Sequence, residues 1–197
     1  MARSTREGTE ETRRAILSCA KKLFETTGYS HTTLADICKE AGVTKGALFH
    51  HFDSKETLFT EIWMDLQTTM DRAAAHEAMR VSEFTDDPYA GFIAGCRVFL
   101  DYASDPKFQQ IVNIDGPVVL GVAEWSRRDA AMGLRNIGGG LRLLESQGFV
   151  DPKNRKPLTV LLYGALTGAA LELSRNPANQ SADNILTVFE TLLRNSR

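Results

Sequence analysis

Three cysteines, Cys19, Cys38 and Cys96, are too few and too far apart for a disulfide scaffold. Their number is odd and no C-x-x-C pair occurs, which also argues against a zinc ribbon. Cys19 and Cys38 fall on apolar helical faces, where a thiol behaves as a small hydrophobe. Long hydrophobic runs are missing too. The greasiest stretch, Leu158 to Leu171, is interrupted by Thr159, Tyr163 and Thr167 and falls short of the roughly 20 residues of a membrane span. The opening MARSTREGTEETRR contains no apolar segment of the secretory type. A cytoplasmic protein with no membrane partner is expected. None of G-x-S-x-G, G-x-x-x-x-G-K-[ST], H-E-x-x-H or G-x-G-x-x-G occurs, so neither an enzyme nor a bound cofactor is expected, with no catalytic and no metal-binding residues. A net charge of −2 excludes a protein that coats nucleic acid along its whole surface.

What is present suits a globular chain. Apolar residues make up 43% of the 197, enough for a sizeable core, and 24% are charged. The charges are unevenly placed. Residues 1–55 hold nine Lys/Arg against seven Asp/Glu, whereas residues 56–197 hold fourteen against eighteen. Nearly every segment carries helical periodicity, and no strand-period segment or internal repeat stands out, so the fold class is all-α. Ile16, Leu17, Ala20, Leu23 and Phe24 share one face of a first helix, stopped at Gly28. Thr33 opens a second helix, with Asp36 placed near its free amides, and Gly42 closes it. Thr44 caps a short third helix, Lys45 to His51. Asp53 or Ser54 caps a fourth, running to about Arg80. Further helices are expected over 90–104 and 122–147, and over about 157–175 and 182–195 with Asn176-Pro177 between them. Residues 107–122 read as a short helix broken at Gly116-Pro117, and DPKNRKP (151–157) reads as a connector.

AGVTKGALFHHF, residues 41–52, is a poor helix by propensity and carries two adjacent histidines. A metal site is one reading of His50 and His51, but neighbouring helical residues point about 100° apart, whereas shared ligation needs i, i+3 or i, i+4. Catalysis would need a nucleophile and a pocket. Exposed capping polars are the plain alternative. Two short helices joined by a glycine-containing turn are also a helix-turn-helix. Gly42 permits a positive φ, Cys38 is small, and Ile37, Val43 and Leu48 form an apolar wedge. Gly46 and Ala47 then keep the third helix bare enough to enter a major groove. The cost of an interior glycine, about 1 kcal/mol, is tolerable if the other helices hold this one in place.

The stretch ILSCAKKLFETTGYSHTTLADICKEAGVTKGALFHHFDSKETLF resembles the DNA-binding domain of the tetracycline-repressor (TetR) family of bacterial regulators. The likeness runs from about Thr12 to Phe59 and covers about a quarter of the chain. It is carried by Phe24/Gly28/Tyr29, Thr33, Asp36-Ile37, Ala41-Gly42-Val43, Lys45-Gly46, His51-Phe52 and Ser54-Lys55-Glu56. It implies that Lys45, Ala47 and His50 face the groove, with Gly46 between them, and that Thr33, Thr44, His51 and Lys55 hold phosphates. The family commonly has a tyrosine where this chain has Phe49; without a hydroxyl, a sugar or a thymine methyl is left for it. Arg3, Arg6, Arg13 and Arg14 would add backbone or minor-groove contacts unless the terminus is disordered.

The resemblance further implies a helix-turn-helix domain at 1–54, ordered from about residue 9, and a helical ligand-binding and dimerisation domain at 55–197, about nine helices in all. One small reading head binds weakly, whereas two read a palindrome of double-stranded DNA, so a homodimer is expected. Its interface is expected on the last two helices at Leu161, Gly164, Ala165, Gly168, Leu171, Val188 and Leu192, unless these helices are simply buried within the chain. Large apolar groups between the head and those helices serve packing for the most part. Phe99, Tyr102, Phe108, Ile111, Asp115, Trp125 and Met132 are the candidates for an effector pocket. Asp115 caps the next turn or offers that pocket a polar contact, and the cap is the favoured reading. Gly138-Gly139-Gly140 should weaken or bend its helix. The expected function is a repressor released from a palindromic operator by a small, largely apolar effector. The alternative is control by a protein partner.

Overall fold

The computed structural model describes residues 2–175 and 181–196. The side chains of residues 2–7, Arg3 and Arg6 among them, lie outside the description, as does the Asn176-Pro177 separator. The chain is all-α, with no strand among the described residues. In order the helices are α1 (Ala2–Thr27), α2 (Leu34–Ala41), α3 (Lys45–His51), α4 (Lys55–Ser82), α5 (Ala90–Ser104), α6 (Pro106–Gln109), a π-helical turn (Gln110–Asp115), α7 (Gly116–Leu120), α8 (Val122–Ser146), α9 (Pro152–Arg175) and α10 (Ala182–Arg194).

The residues pack as two units. One comprises Met1–Gln67 and Lys107–Glu124; the other comprises Thr68–Pro106 and Trp125–Arg197. In the first, Ile16, Ala20 and Phe24 of α1 are sealed against Ile37 of α2, Leu48 of α3 and Leu58, Phe59 and Trp63 of α4. The segment 107–124 completes this core with Phe108, Ile111 and Val112. The Trp63 Nε1–H donates to the carbonyl of Val112 at 3.3 Å. The break expected at Gly116-Pro117 does not occur. The π-helical turn runs directly into α7, and Pro117 sits in the first turn, where a missing N–H costs no helical bond.

In the second unit α5, α8, α9 and α10 enclose Tyr89, Leu100, Leu141, Leu162, Leu166 and Phe189. The glycine run does not interrupt α8. A Cβ on Gly140 would stand 2.4 Å from the Phe92 ring, and Gly138 is buried against Thr159. The glycines therefore admit neighbouring side chains. The Asn136 amide of α8 donates to Asp71 Oδ1 of α4 at 2.6 Å. Arg97 pairs with Asp183, and Arg194 with Asp87, tying α10 to α5 and its approach. Helix α9 starts within the expected connector: Asp151 Oδ1 accepts the Lys153 amide at 2.9 Å, a cap that lets Pro152 open the helix. By length and composition alone α9 is apolar enough to cross a membrane, and little of that apolar window is buried inside the chain.

Candidate nucleic-acid interface

The reading head is assembled from local signals. Thr33 and Asp36 form a reciprocal capping box: Thr33 Oγ1 accepts the Asp36 amide, and Asp36 accepts the Thr33 amide at 3.0 Å and its hydroxyl at 2.6 Å. Those bonds, the hydroxyl first, hold the Asp36 carboxyl below the usual carboxylate range. Gly42 ends α2 at φ 65°, a left-handed conformation that a Cβ would oppose. Its amide and that of Val43 return to the carbonyls of Lys39 and Cys38. Thr44 then accepts the Ala47 amide at 3.1 Å and starts α3.

Helix α3 buries Leu48 and leaves Lys45, Gly46, Phe49 and His50 exposed, with Ala47 and His51 half-buried. The Lys45 ammonium lies 5.7 Å from the Phe49 ring centroid. The His50 and His51 rings meet edge-on at 5.3 Å. Among the described residues no three His, Cys, Asp or Glu side chains converge as metal ligands would.

Two of the expected phosphate donors are already engaged. Both donors of Thr33 point to Asp36. The Lys55 ammonium donates to the carbonyls of Tyr29 and Thr32, each at 2.8 Å, and lies 3.9 Å from the Tyr29 ring centroid. Lys55 thus staples the α1–α2 turn to α4. Arg13 grips Glu61 at 2.6 Å and covers the Phe52 ring, while Arg14 reaches back to the Glu10 carbonyl at 3.4 Å.

Asp115 requires a correction. It makes no side-chain cap on α7. Buried to 7% exposure, its carboxylate accepts the Tyr29 amide at 2.8 Å and the Gln110 side-chain amide at 3.1 Å. Gly28, at φ 79°, lies under this pair: a Cβ there would stand 3.3 Å from Gln110 Nε2. The free amide just past the end of α1 was the stronger competitor for the acid. It lies 86 residues away in sequence, and no local pattern announces it.

The effector candidates divide between the units. Phe108, Ile111 and Asp115 are interior to the first; Phe99, Tyr102, Trp125 and Met132 are half-buried residues of the second. None lines the open groove of ≈ 420 Å³ bordered by Ala73, His76, Glu77, Ala94, Arg97, Val98 and Asp101. The dimer candidates Leu161, Gly164, Ala165, Gly168, Leu171, Val188 and Leu192 are all exposed, with open space above both glycines.

A short exposed helix held by two caps and a left-handed glycine turn against two supporting helices defines a helix-turn-helix DNA-binding protein. The family model described as bacterial regulatory proteins, tetR family, matches residues 16–62; that described as tetracyclin repressor-like, C-terminal domain, matches residues 89–196. The chain belongs to the tetR family of transcriptional regulators. It is similar to the HTH-type transcriptional regulator AcrR of Shigella flexneri, with 51% identity over 63 residues, 32% of this chain and 29% of that protein. The HTH-type transcriptional repressor BepR of Brucella suis is 42% identical over 60 residues, covering 30% and 29%. The matches thus span less than a third of either relative. The crystal structure of a TetR-family transcriptional regulator from Pectobacterium atrosepticum aligns with TM-score 0.71 and 29% identity over 95% of this chain and 93% of that one.

Proposed function

We propose that the protein is a homodimeric repressor whose paired α3 helices occupy successive major grooves of a palindromic operator, and that a small, largely apolar effector releases it. The observation that carries this reading is the exposed edge of α3, Lys45, Gly46, Phe49 and His50, on a helix fixed from behind by Leu48. Ala47, Thr44 and His51 complete the contact surface. The hydroxyl of Thr44, whose oxygen caps Ala47, keeps its hydrogen available for a phosphate. Lys55 acts through the backbone at its helix start, since its ammonium is engaged internally, and Thr33, whose amide and hydroxyl both bond Asp36, shapes the start of α2. Repression is carried over from BepR, which bears that description.

Support for the dimer comes from the open apolar face of α9 and α10. Leu161 and Leu171 flank the glycines on α9, and Val188 and Leu192 extend the face on α10. A surface of this kind suits close helix–helix packing about a two-fold axis.

For the effector, Phe99, Tyr102, Trp125 and Met132 supply half-buried apolar surface in the second unit. Phe108, Ile111 and Asp115 serve transmission instead. The segment that carries them is joined by the chain to α5 at one end and α8 at the other, while Asp115 holds the end of α1. A shift at either end on ligand binding would therefore pull on segment 107–124, which packs into the core of the reading head and holds Tyr29 through Asp115. A coupling of about 1–3 kcal/mol would change operator affinity about 5- to 150-fold.

Selection of bound duplexes from a random pool tests the proposal. Enrichment of an inverted repeat, with affinity falling steeply as salt rises, is expected. Failure to enrich any inverted repeat at low salt would overturn it. A thermal-shift screen against apolar small molecules tests the effector; a chain stabilised by none of them, but by a protein partner, would favour the alternative control.

A further inference from the structure

We propose that Phe49 reads the C5-methyl group of a thymine in the major groove, and so sets operator sequence rather than anchoring the DNA backbone. The inference rests on the DNA-binding reading above and deepens it. Phe49 is 44% exposed on α3, although every other exposed side chain of that helix is polar or absent. The ring therefore offers an otherwise polar contact surface one apolar plate, which gains from being covered by an apolar group of the DNA. It carries no hydroxyl, so it makes no conventional hydrogen bond to a phosphate or a base edge. In the major groove the apolar feature that base pairs present is the thymine methyl, and phenylalanine is among the side chains that contact it.

The surroundings of the ring favour depth over rim. Lys45 lies one helical turn earlier on the same face, and its ammonium stands 5.7 Å from the ring centroid, within cation–π range. That contact directs the ammonium along the ring. A base with acceptors and no donor on its major-groove edge, guanine or thymine, then falls beside the methyl-bearing one. Gly46 adds no bulk between them, and the atom nearest to a Cβ built there is Thr44 Oγ1 at 3.8 Å, part of the cap itself. The pair Lys45–Phe49 therefore forms one composite reading element, a cation and an apolar plate side by side.

The test uses the full chain and an operator selected from random DNA. Each thymine is replaced in turn by uracil, which lacks only the methyl group, in both half-sites. One symmetric thymine pair should be sensitive, with affinity falling about fourfold per half-site, the worth of one buried methyl. Phe49→Ala should bind the thymine and uracil forms equally, and Phe49→Leu, which keeps an apolar contact, should retain the penalty. Three results would overturn the proposal: no uracil-sensitive thymine, an undiminished penalty in Phe49→Ala, which would transfer the methyl contact to Ala47, or a uniform loss across sequences in Phe49→Ala, which would make Phe49 a sugar contact. Failure to select any inverted repeat counts instead against the DNA-binding reading itself.

Discussion

Tyr29 joins more of the reading head than its place in a turn suggests. Its amide donates to Asp115, its carbonyl accepts from Lys55, and its ring meets Phe24, Phe59 and the Lys55 ammonium. Replacing Asp115 by Ala removes one acceptor from a part-buried N–H and should lower stability by about 1–3 kcal/mol, read as a fall in the thermal midpoint. Unchanged melting would mean that water substitutes fully for the carboxylate. Lys55→Met separates two roles of a cation. The stapling role predicts lower stability, with the slope of log affinity against log salt unmoved. A direct phosphate contact would reduce that slope by about 1. At this scale the sequence was legible only where partners are close along the chain. Thr33 with Asp36 announces itself across three residues, whereas Asp115 carries no mark of Tyr29.

Among the elements, α2, the turn and α3 were readable almost to the residue because their boundaries are set by chemistry within one helical turn: Thr33, Gly42 and Thr44 each act on near neighbours. Gly42→Ala would force a side chain into the left-handed region at a cost of about 1–2 kcal/mol, measurable by denaturant titration. The Asp36 cap gives a pH signature. Its carboxyl is held below the ordinary range by the Thr33 bonds, so its contribution is fully present above the unfolded-state pKa. The contribution is lost as pH falls through the lowered folded value. Thermal melts from neutral into acid should therefore lose less in Asp36→Asn than in the parent chain. Other elements misled. The prolines and charges of DPKNRKP suggest a loop, yet Asp151 caps α9 and Pro152 opens it. The glycines of α8 suggest a weak point, yet Gly140 makes room for Phe92. In both cases the deciding fact is a position within a helix or a neighbour from another one, and composition reports neither.

For the whole molecule, the proposed dimer places its interface on the open face of α9 and α10. Leu161→Lys with Val188→Lys should leave each chain folded but place cations where a partner's apolar surface would lie. Sedimentation should then report monomers, and operator affinity should fall toward that of a lone head on a half-site. A persistent dimer would move the interface elsewhere. Gly164, Ala165 and Gly168 mark this strip in the sequence by their small size, while its exposure, and the packing of residues 107–124 with the N-terminal helices, are visible only in the structure. That arrangement bears on any attempt to transplant specificity. The head is not one continuous stretch of chain, and a graft cut after residue 54 leaves behind Phe108, Ile111 and the acid that holds Tyr29. Chimeras that carry both pieces should inherit the donor's operator, and those that carry only the first should express as unstable protein.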